Sequence, residues 1–367
     1  MNFKTGCVVM KKELSWEFER PYVDDNYEPH SCSDSHKRYV ASGRTGLNLI
    51  IQNIRSSGNK IETVYLPKYC SKSMIQPFSD EKVFIKFYEV NLNDYGIELL
   101  LNSEEDYDAI VLMDYFGYCN PLLKEIANEE RKRNHLVIID ATQSILCDFD
   151  YCSIADYYIA SYRKWVPSNC AIVFSKEPIL IKDYRYVYSH FLYVRNLAYS
   201  LKYQFADDEQ ENIRVNDYLS LFDSSEILLR YDYKEYATSK KEIELMERAD
   251  VEQIRSIRKK NASILTDLFN KSKVVRPVFP IINELDCPLF VPLLIPVDID
   301  RDVVRDLLRK EGIYLPVHWR PGKLHAPNCL NSELYCSLLS CICDQRYDED
   351  DMLRQYNAIA NIFEKEC

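Results

Sequence analysis

No apolar run in the 367 residues approaches the length needed to cross a bilayer, and the first dozen residues lack the apolar stretch of a signal peptide. Basic charge is not in excess. The net charge is −11 and the lysines and arginines are dispersed, so neither nucleic acid nor an anionic membrane surface is an expected partner. The 13 cysteines form no paired framework, and the densest group (Cys336, Cys341, Cys343) has no second pair or histidines at ligand spacing. Disulfides and a metal site are therefore not expected. The cysteines read as reduced, buried small hydrophobes in a cytoplasmic protein. Internal repeats and low-complexity segments are lacking too. Glycine is scarce, with eight in the chain and none between Gly117 and Gly312.

What remains is ordinary for a globular enzyme or binding protein: 47% hydrophobic and 28% charged residues, enough for one large domain and a smaller one. Residues 1–40, with Tyr22, Tyr27, His30, Cys32, His36 and Tyr39 in no clear period, read as an arm packed over the body. Residues 41–276 read as a large domain with a helical extension from about 178. The prolines at 277, 280, 288, 292 and 296 then mark the start of a small α+β domain, 277–367.

Within the large domain, Ser42 and Gly43 open a helix whose apolar positions, Leu47, Ile50, Ile51 and Ile54, recur at helical spacing. Such a helix start presents backbone N–H groups and a positive dipole end to a phosphate. Strand-like runs follow at Thr63–Cys70, Val83–Tyr88, Asp108–Gly117 and Leu136–Asp140, with helices to Phe78 and over 121–134. This alternation predicts a mostly parallel sheet, in which ligands bind beyond the carboxyl ends of the strands. Asp140, Ser161, Lys164, Tyr69 and Tyr115 belong at that edge.

Lys164 lies in a polar turn between two apolar runs, Tyr157–Ala160 and Cys170–Phe174, with Trp165 next to it. A lysine partly removed from water has a lowered pKa, and its neutral amine attacks carbonyls. An upstream strand ends on the Asp140 carboxylate, the order expected of a pyridoxal-phosphate site.

From here the chain resembles a known family, the fold-type I pyridoxal-phosphate enzymes of the DegT/DnrJ/EryC1/StrS group, mostly sugar-nucleotide aminotransferases. The resemblance rests on Ser42-Gly43-Arg44-Thr45-Gly46-Leu47, Leu66-Pro67-Lys68-Tyr69-Cys70, Asp114-Tyr115-Phe116-Gly117 and Ile139-Asp140-Ala141-Thr142-Gln143-Ser144. It continues through Ser161-Tyr162-Arg163-Lys164-Trp165, Gly312-Ile313-Tyr314-Leu315-Pro316-Val317-His318-Trp319 and Cys343-Asp344-Gln345-Arg346-Tyr347, in one order over roughly residues 40–350. By that resemblance the fold is α/β, a large mostly parallel-sheet domain with a smaller C-terminal domain. Lys164 is the Schiff-base lysine, Asp140 pairs with the pyridinium nitrogen, and Gln143 meets the ring oxygen or face. Ser161 and the Gly43-Arg44-Thr45 helix start hold the phosphate, and Tyr69 or Tyr115 stacks on the ring. His318, Trp319 and Arg346 shape the substrate end, although Arg346 with Asp344 also reads as a surface ion pair and His318 as a packed strand residue.

The activity so implied is transfer of an amino group, from glutamate by analogy, to a nucleotide-linked keto-sugar in surface polysaccharide synthesis, by a homodimer. The alternatives are a pyridoxal-phosphate enzyme acting on a small amino or keto acid, and a non-catalytic member that binds cofactor or sugar. The chain departs from the family pattern in three places. Pro167-Ser168-Asn169-Cys170 stands where relatives usually carry glycines. Arg44 replaces a small residue. The partner-subunit asparagine motif is missing from 205–240, leaving Asn212 and Asn216 as the nearby candidates.

Overall fold

The computed structural model describes residues 13–22, 33–182, 184, 190–205, 213–234, 236–272, 275–326 and 332–366. Tyr27, His30, Cys32 and Asn212 lie outside the described residues.

After the two-residue strand β1 (Leu14–Ser15), the chain lays down β2 (Lys37–Val40), α1 (Gly43–Ser56), β3 (Thr63–Pro67), α2 (Lys72–Asp80), β4 (Phe84–Asn93) and β5 (Gly96–Leu100). It continues with β6 (Ala109–Leu112), α3 (Leu123–Lys132), β7 (Leu136–Asp140), α4 (Tyr151–Ile154), β8 (Tyr157–Ser161) and β9 (Ala171–Ser175). Eight of these strands form one sheet in the order β2-β9-β8-β7-β6-β3-β4-β5. The five in the middle, β8, β7, β6, β3 and β4, run parallel, as the alternation predicts. Antiparallel β9 and β2 finish one edge and β5 the other, and neither β2 nor β5 is foreseen in the sequence. β3, β6, β7 and β8 are buried through their centres, which is why they read as continuous runs, whereas β4 is only partly covered.

α1 begins on a Ser42 cap, whose Oγ accepts from Thr45 N at 3.1 Å, an interaction worth about 1 kcal/mol. The helix lies close on the sheet because Gly46 has no side chain. A Cβ there would sit 2.2 Å from Ile159 Cδ1 and 2.9 Å from Val173 Cγ2.

A hairpin of α5 (His190–Phe205) and α6 (Val215–Tyr231) follows, then α7 (Lys240–Glu247) and α8 (Val251–Asn270). The small sheet, β10-β11-β13, joins Arg276–Pro277, Phe290–Leu294 and Leu338–Ile342. Around it stand α9 (Arg301–Lys310), β12 (Ile313–Tyr314), α10 (Glu333–Ser337) and α11 (Glu349–Glu366). This second sheet has its own core, which takes in Ala262, Leu265 and Phe269 of α8 as well as Val275. One face of α8, together with Leu14, thus packs on the small sheet.

Residues 14–20 are a buried strap between the two cores. β1 pairs in parallel with β12, and Ser15 N donates to the Tyr347 hydroxyl at 3.0 Å. Leu14, Ser15, Glu17, Phe18 and Arg20 are all buried. Cys341 and Cys343 are buried as expected; Cys336 is exposed instead, on the open side of α10. Among the described residues no helix is long and apolar enough to cross a membrane, and no group of three or more His, Cys, Asp or Glu side chains is placed to hold a metal.

Candidate active site

β7 and β8 are parallel neighbours with Asp140 opposite Ile159, so Asp140 and Ser161 leave the sheet at the same edge. A single 3-10 turn, Tyr162–Lys164, then carries Lys164 over that edge. Thr142 ties the two strand ends together. Its Oγ1 accepts from Ser161 N at 3.2 Å, and its carbonyl accepts from the fully buried Trp165 indole at 2.9 Å. Trp165 is therefore an anchor beneath the turn, with the Arg258 guanidinium 4.7 Å from its ring centre. The glycine-free turn after the lysine is held by one carboxylate. Glu242 of α7 accepts from Asn169 N at 2.7 Å and from Asn169 Nδ2 at 3.2 Å, pairs with Arg20 at 2.6 Å, and its carbonyl takes the Ser168 hydroxyl.

A cavity lies at this edge. Ser42, Gly43, Arg44, Asp140, Gln143, Ser161 and Lys164 all line it, with Thr142, Met74, Met113, Trp319 and, from the helical hairpin, Arg163's partner Glu226. Burial first, and then the neighbouring Arg163 charge, bring the Lys164 amine down to about 8, with Glu226 and Asp140 opposing. Burial raises the Asp140 carboxyl, opposed by the Thr142 hydrogen bonds and the Lys164 charge; Thr142 N donates to its Oδ1 at 2.9 Å. Gln143 is oriented by Phe116 N, which donates to its Oε1 at 2.8 Å, while its Nε2 is buried with no partner. Arg44 Nε and Nη1 are buried and unpartnered as well. An acceptor-rich ring oxygen and a phosphate are the groups such orphaned donors fit.

The other expected residues lie off the cavity. Thr45 is used inside the helix start, its hydroxyl donating to Tyr233 O at 2.6 Å. Neither Tyr69 nor Tyr115 lines the cavity. The Tyr69 hydroxyl is bound to the His318 carbonyl and the Tyr115 hydroxyl to the Tyr69 carbonyl; the Tyr69 ring packs against Trp319 and Tyr115 stacks on Tyr69. Trp319 is the aromatic residue that reaches the cavity. His318 is buried among Phe116, Phe290 and Trp319, its Nδ1 3.0 Å from Ser340 Oγ; burial, then Lys164, hold it well below the ordinary histidine range.

Arg346 does not reach the cavity, and its pair with Asp344 is not a surface pair. It grips buried Asp344 through two bonds, at 3.0 and 2.7 Å, and binds the strap at Glu19 Oε2, Ser15 O and Glu17 O. Asn216 is exposed on α6 and does not line the cavity either. Glu226 and Thr142, both unforeseen, do. Glu226 sits in a helix with little contrast between its faces, so its sequence carries no signal; Thr142 follows an aspartate at a strand end, a position with a readable turn role.

No family model matches the chain, and no curated protein sequence does. Many solved structures share its fold. PseC of Helicobacter pylori, an aminotransferase involved in pseudoaminic acid biosynthesis, is 13% identical over 96% of this chain and 100% of its own, with a TM-score of 0.64. A DegT DnrJ EryC1 StrS aminotransferase from Brucella abortus is 14% identical over 89% and 86%, at 0.60. The chain has the fold-type I aminotransferase fold. Ntda from Bacillus subtilis, solved with bound cofactor PMP, shares it at 12% identity over 89% of this chain and 73% of its own, with a TM-score of 0.57. On the aminotransferase fold the cavity occupies the carboxyl edge of the parallel strands, where open α/β sheets bind their ligands.

Proposed function

We propose that the chain is a pyridoxal-phosphate-dependent aminotransferase that moves an amino group from an amino acid, by family analogy glutamate, to the carbonyl of a nucleotide-linked keto-sugar. The reading places it in surface polysaccharide synthesis, as a cytoplasmic homodimer. The observation that carries it is the pairing, in one cavity of this fold, of a buried lysine with a low pKa and a strand-end aspartate, beside orphaned donors on Arg44 and Gln143.

Pyridoxal phosphate, when bound, supplies the electron sink and the carbon that carries nitrogen between donor and acceptor. Asp140, fixed by Thr142, would face its ring nitrogen and hold positive charge there. Gln143 Nε2 would donate to the ring oxygen. Ser42, Gly43, Arg44 and Ser161 would take the phosphate. Trp319 would cover the ring, the role first assigned to Tyr69 or Tyr115. Lys164, neutral in appreciable fraction near neutral pH, would hold the cofactor through Nζ, and its free amine would accept and return the substrate proton.

The test is to incubate the protein with pyridoxal phosphate, reduce with borohydride and map the modified peptide. A visible absorbance band and a fixed adduct on Lys164 are expected, with none in Lys164→Ala. A folded wild-type protein that yields no adduct would leave only a non-catalytic binding role.

A further inference from the structure

Beside Arg44 and Lys164 the cavity holds a third cation, Arg163, to which the transfer reaction gives no part. Arg44, Arg163 and Lys164 line it, and Glu226 of α6 stands among them. Glu226 Oε1 lies 2.8 Å from Arg163 Nη1 and 3.0 Å from Arg195 Nη1. Burial works against its charge, but Arg163, Arg195, Arg44 and Lys164 together bring the carboxyl down to about 2. Arg195 has a second carboxylate, Glu17, at 2.9 Å. Arg44 has no comparable arrangement. It is 5% exposed, its Nε and Nη1 meet no acceptor, and the Tyr233 ring lies 5.8 Å from its Cζ, while burial works against its charge and Glu226 favours it. A buried guanidinium with open N–H groups is costly, and its planar fork matches phosphate oxygens.

We propose that Glu226 is the resident anion of a phosphate subsite built by Arg44 and Arg163, and that a phosphate monoester entering the cavity takes the open N–H groups of Arg44 and competes with Glu226 for Arg163. Glu226 is then a positioning residue. It keeps Arg163 in place and its charge neutralised, and by the same charge it weakens the hold on an incoming dianion. No covalent step is involved. The identity of the monoester rests on the pyridoxal-phosphate reading; the subsite itself does not.

Inorganic phosphate is titrated calorimetrically into the wild-type chain, Glu226→Gln, Arg44→Gln and the double variant. Glu226→Gln is expected to bind it roughly tenfold tighter or more, because a like charge has been removed beside a dianion, and Arg44→Gln is expected to cancel the gain. Binding that is unchanged or weaker in Glu226→Gln would make Glu226 a scaffold for Arg163 only, and would overturn the proposal. If that variant does not fold, the comparison of wild type with Arg44→Gln decides. Phosphate must raise the wild-type melting temperature, and the rise must shrink in Arg44→Gln; an equal rise overturns the proposal. The pyridoxal-phosphate adduct on Lys164 is scored separately, so an absent adduct sinks the enzymatic reading while the phosphate titration still judges the subsite.

Discussion

Lys164 sets the chemistry at the scale of single residues, because its charge state is decided by what surrounds it. Burial and then Arg163 lower its pKa to about 8, while Glu226 and Asp140 pull the other way. An amine attacks a carbonyl only when deprotonated, so reactivity must rise as pH rises through that value. The rate of borohydride-fixable adduct formation with pyridoxal phosphate is expected to reach half its maximum near pH 8. Removing the repelling cation in Arg163→Gln should displace that midpoint upward; a wild-type midpoint close to the ordinary lysine value of 10.5 would contradict the buried setting. Lys164 and Asp140 were legible in the sequence because each ends an apolar strand-like run, a pattern that places polar groups at a sheet edge. Tyr69 and Tyr115 carry the same edge signal, yet their hydroxyls are drawn to main-chain carbonyls, with the Tyr69 ring against Trp319 and the Tyr115 ring stacked on Tyr69.

Among the elements, α1 joins sequence to site most directly. Its apolar spacing predicted the helix, and Ser42 its start. What spacing could not reveal is how near the helix lies to the sheet, a distance set by Gly46 against Ile159 and Val173. Gly46→Ala should lift the helix start and cost about 1–3 kcal/mol in chemical denaturation, with a matching loss of phosphate-induced stabilisation. A variant as stable as wild type would mean that the neighbouring side chains swing aside freely. The α5–α6 hairpin illustrates the opposite case. α5 buries Arg195, Asn196, Ser200 and Lys202 beside its apolar residues, so its sequence lacks a clean polar face and discloses neither its partner nor the approach of Glu226 to the cavity.

For the molecule as a whole, the strap and Arg346 hold the two cores together. Arg346→Met would leave buried Asp344 unpaired and release the carbonyls of Ser15 and Glu17, at a cost of about 3 kcal/mol in denaturant stability. Under mild conditions the Lys164 adduct should still form in that variant. A substrate-contacting arginine would show the reverse, with stability kept and acceptor binding lost. The proline cluster after 276 gives no sign that α8 serves both cores, since that helix keeps one uninterrupted helical period. The strap also orders events in time. Ser15 waits for Tyr347, a partner 332 residues further along the chain, while Glu17 and Arg20 find Arg195 and Glu242 much sooner. Contacts as remote in sequence as that of Ser15 close late and slowly, so the docking of β1 on β12 is among the last pairings to form, whereas the Arg20 brace on the lysine turn needs no residue beyond Glu242 and is available much earlier.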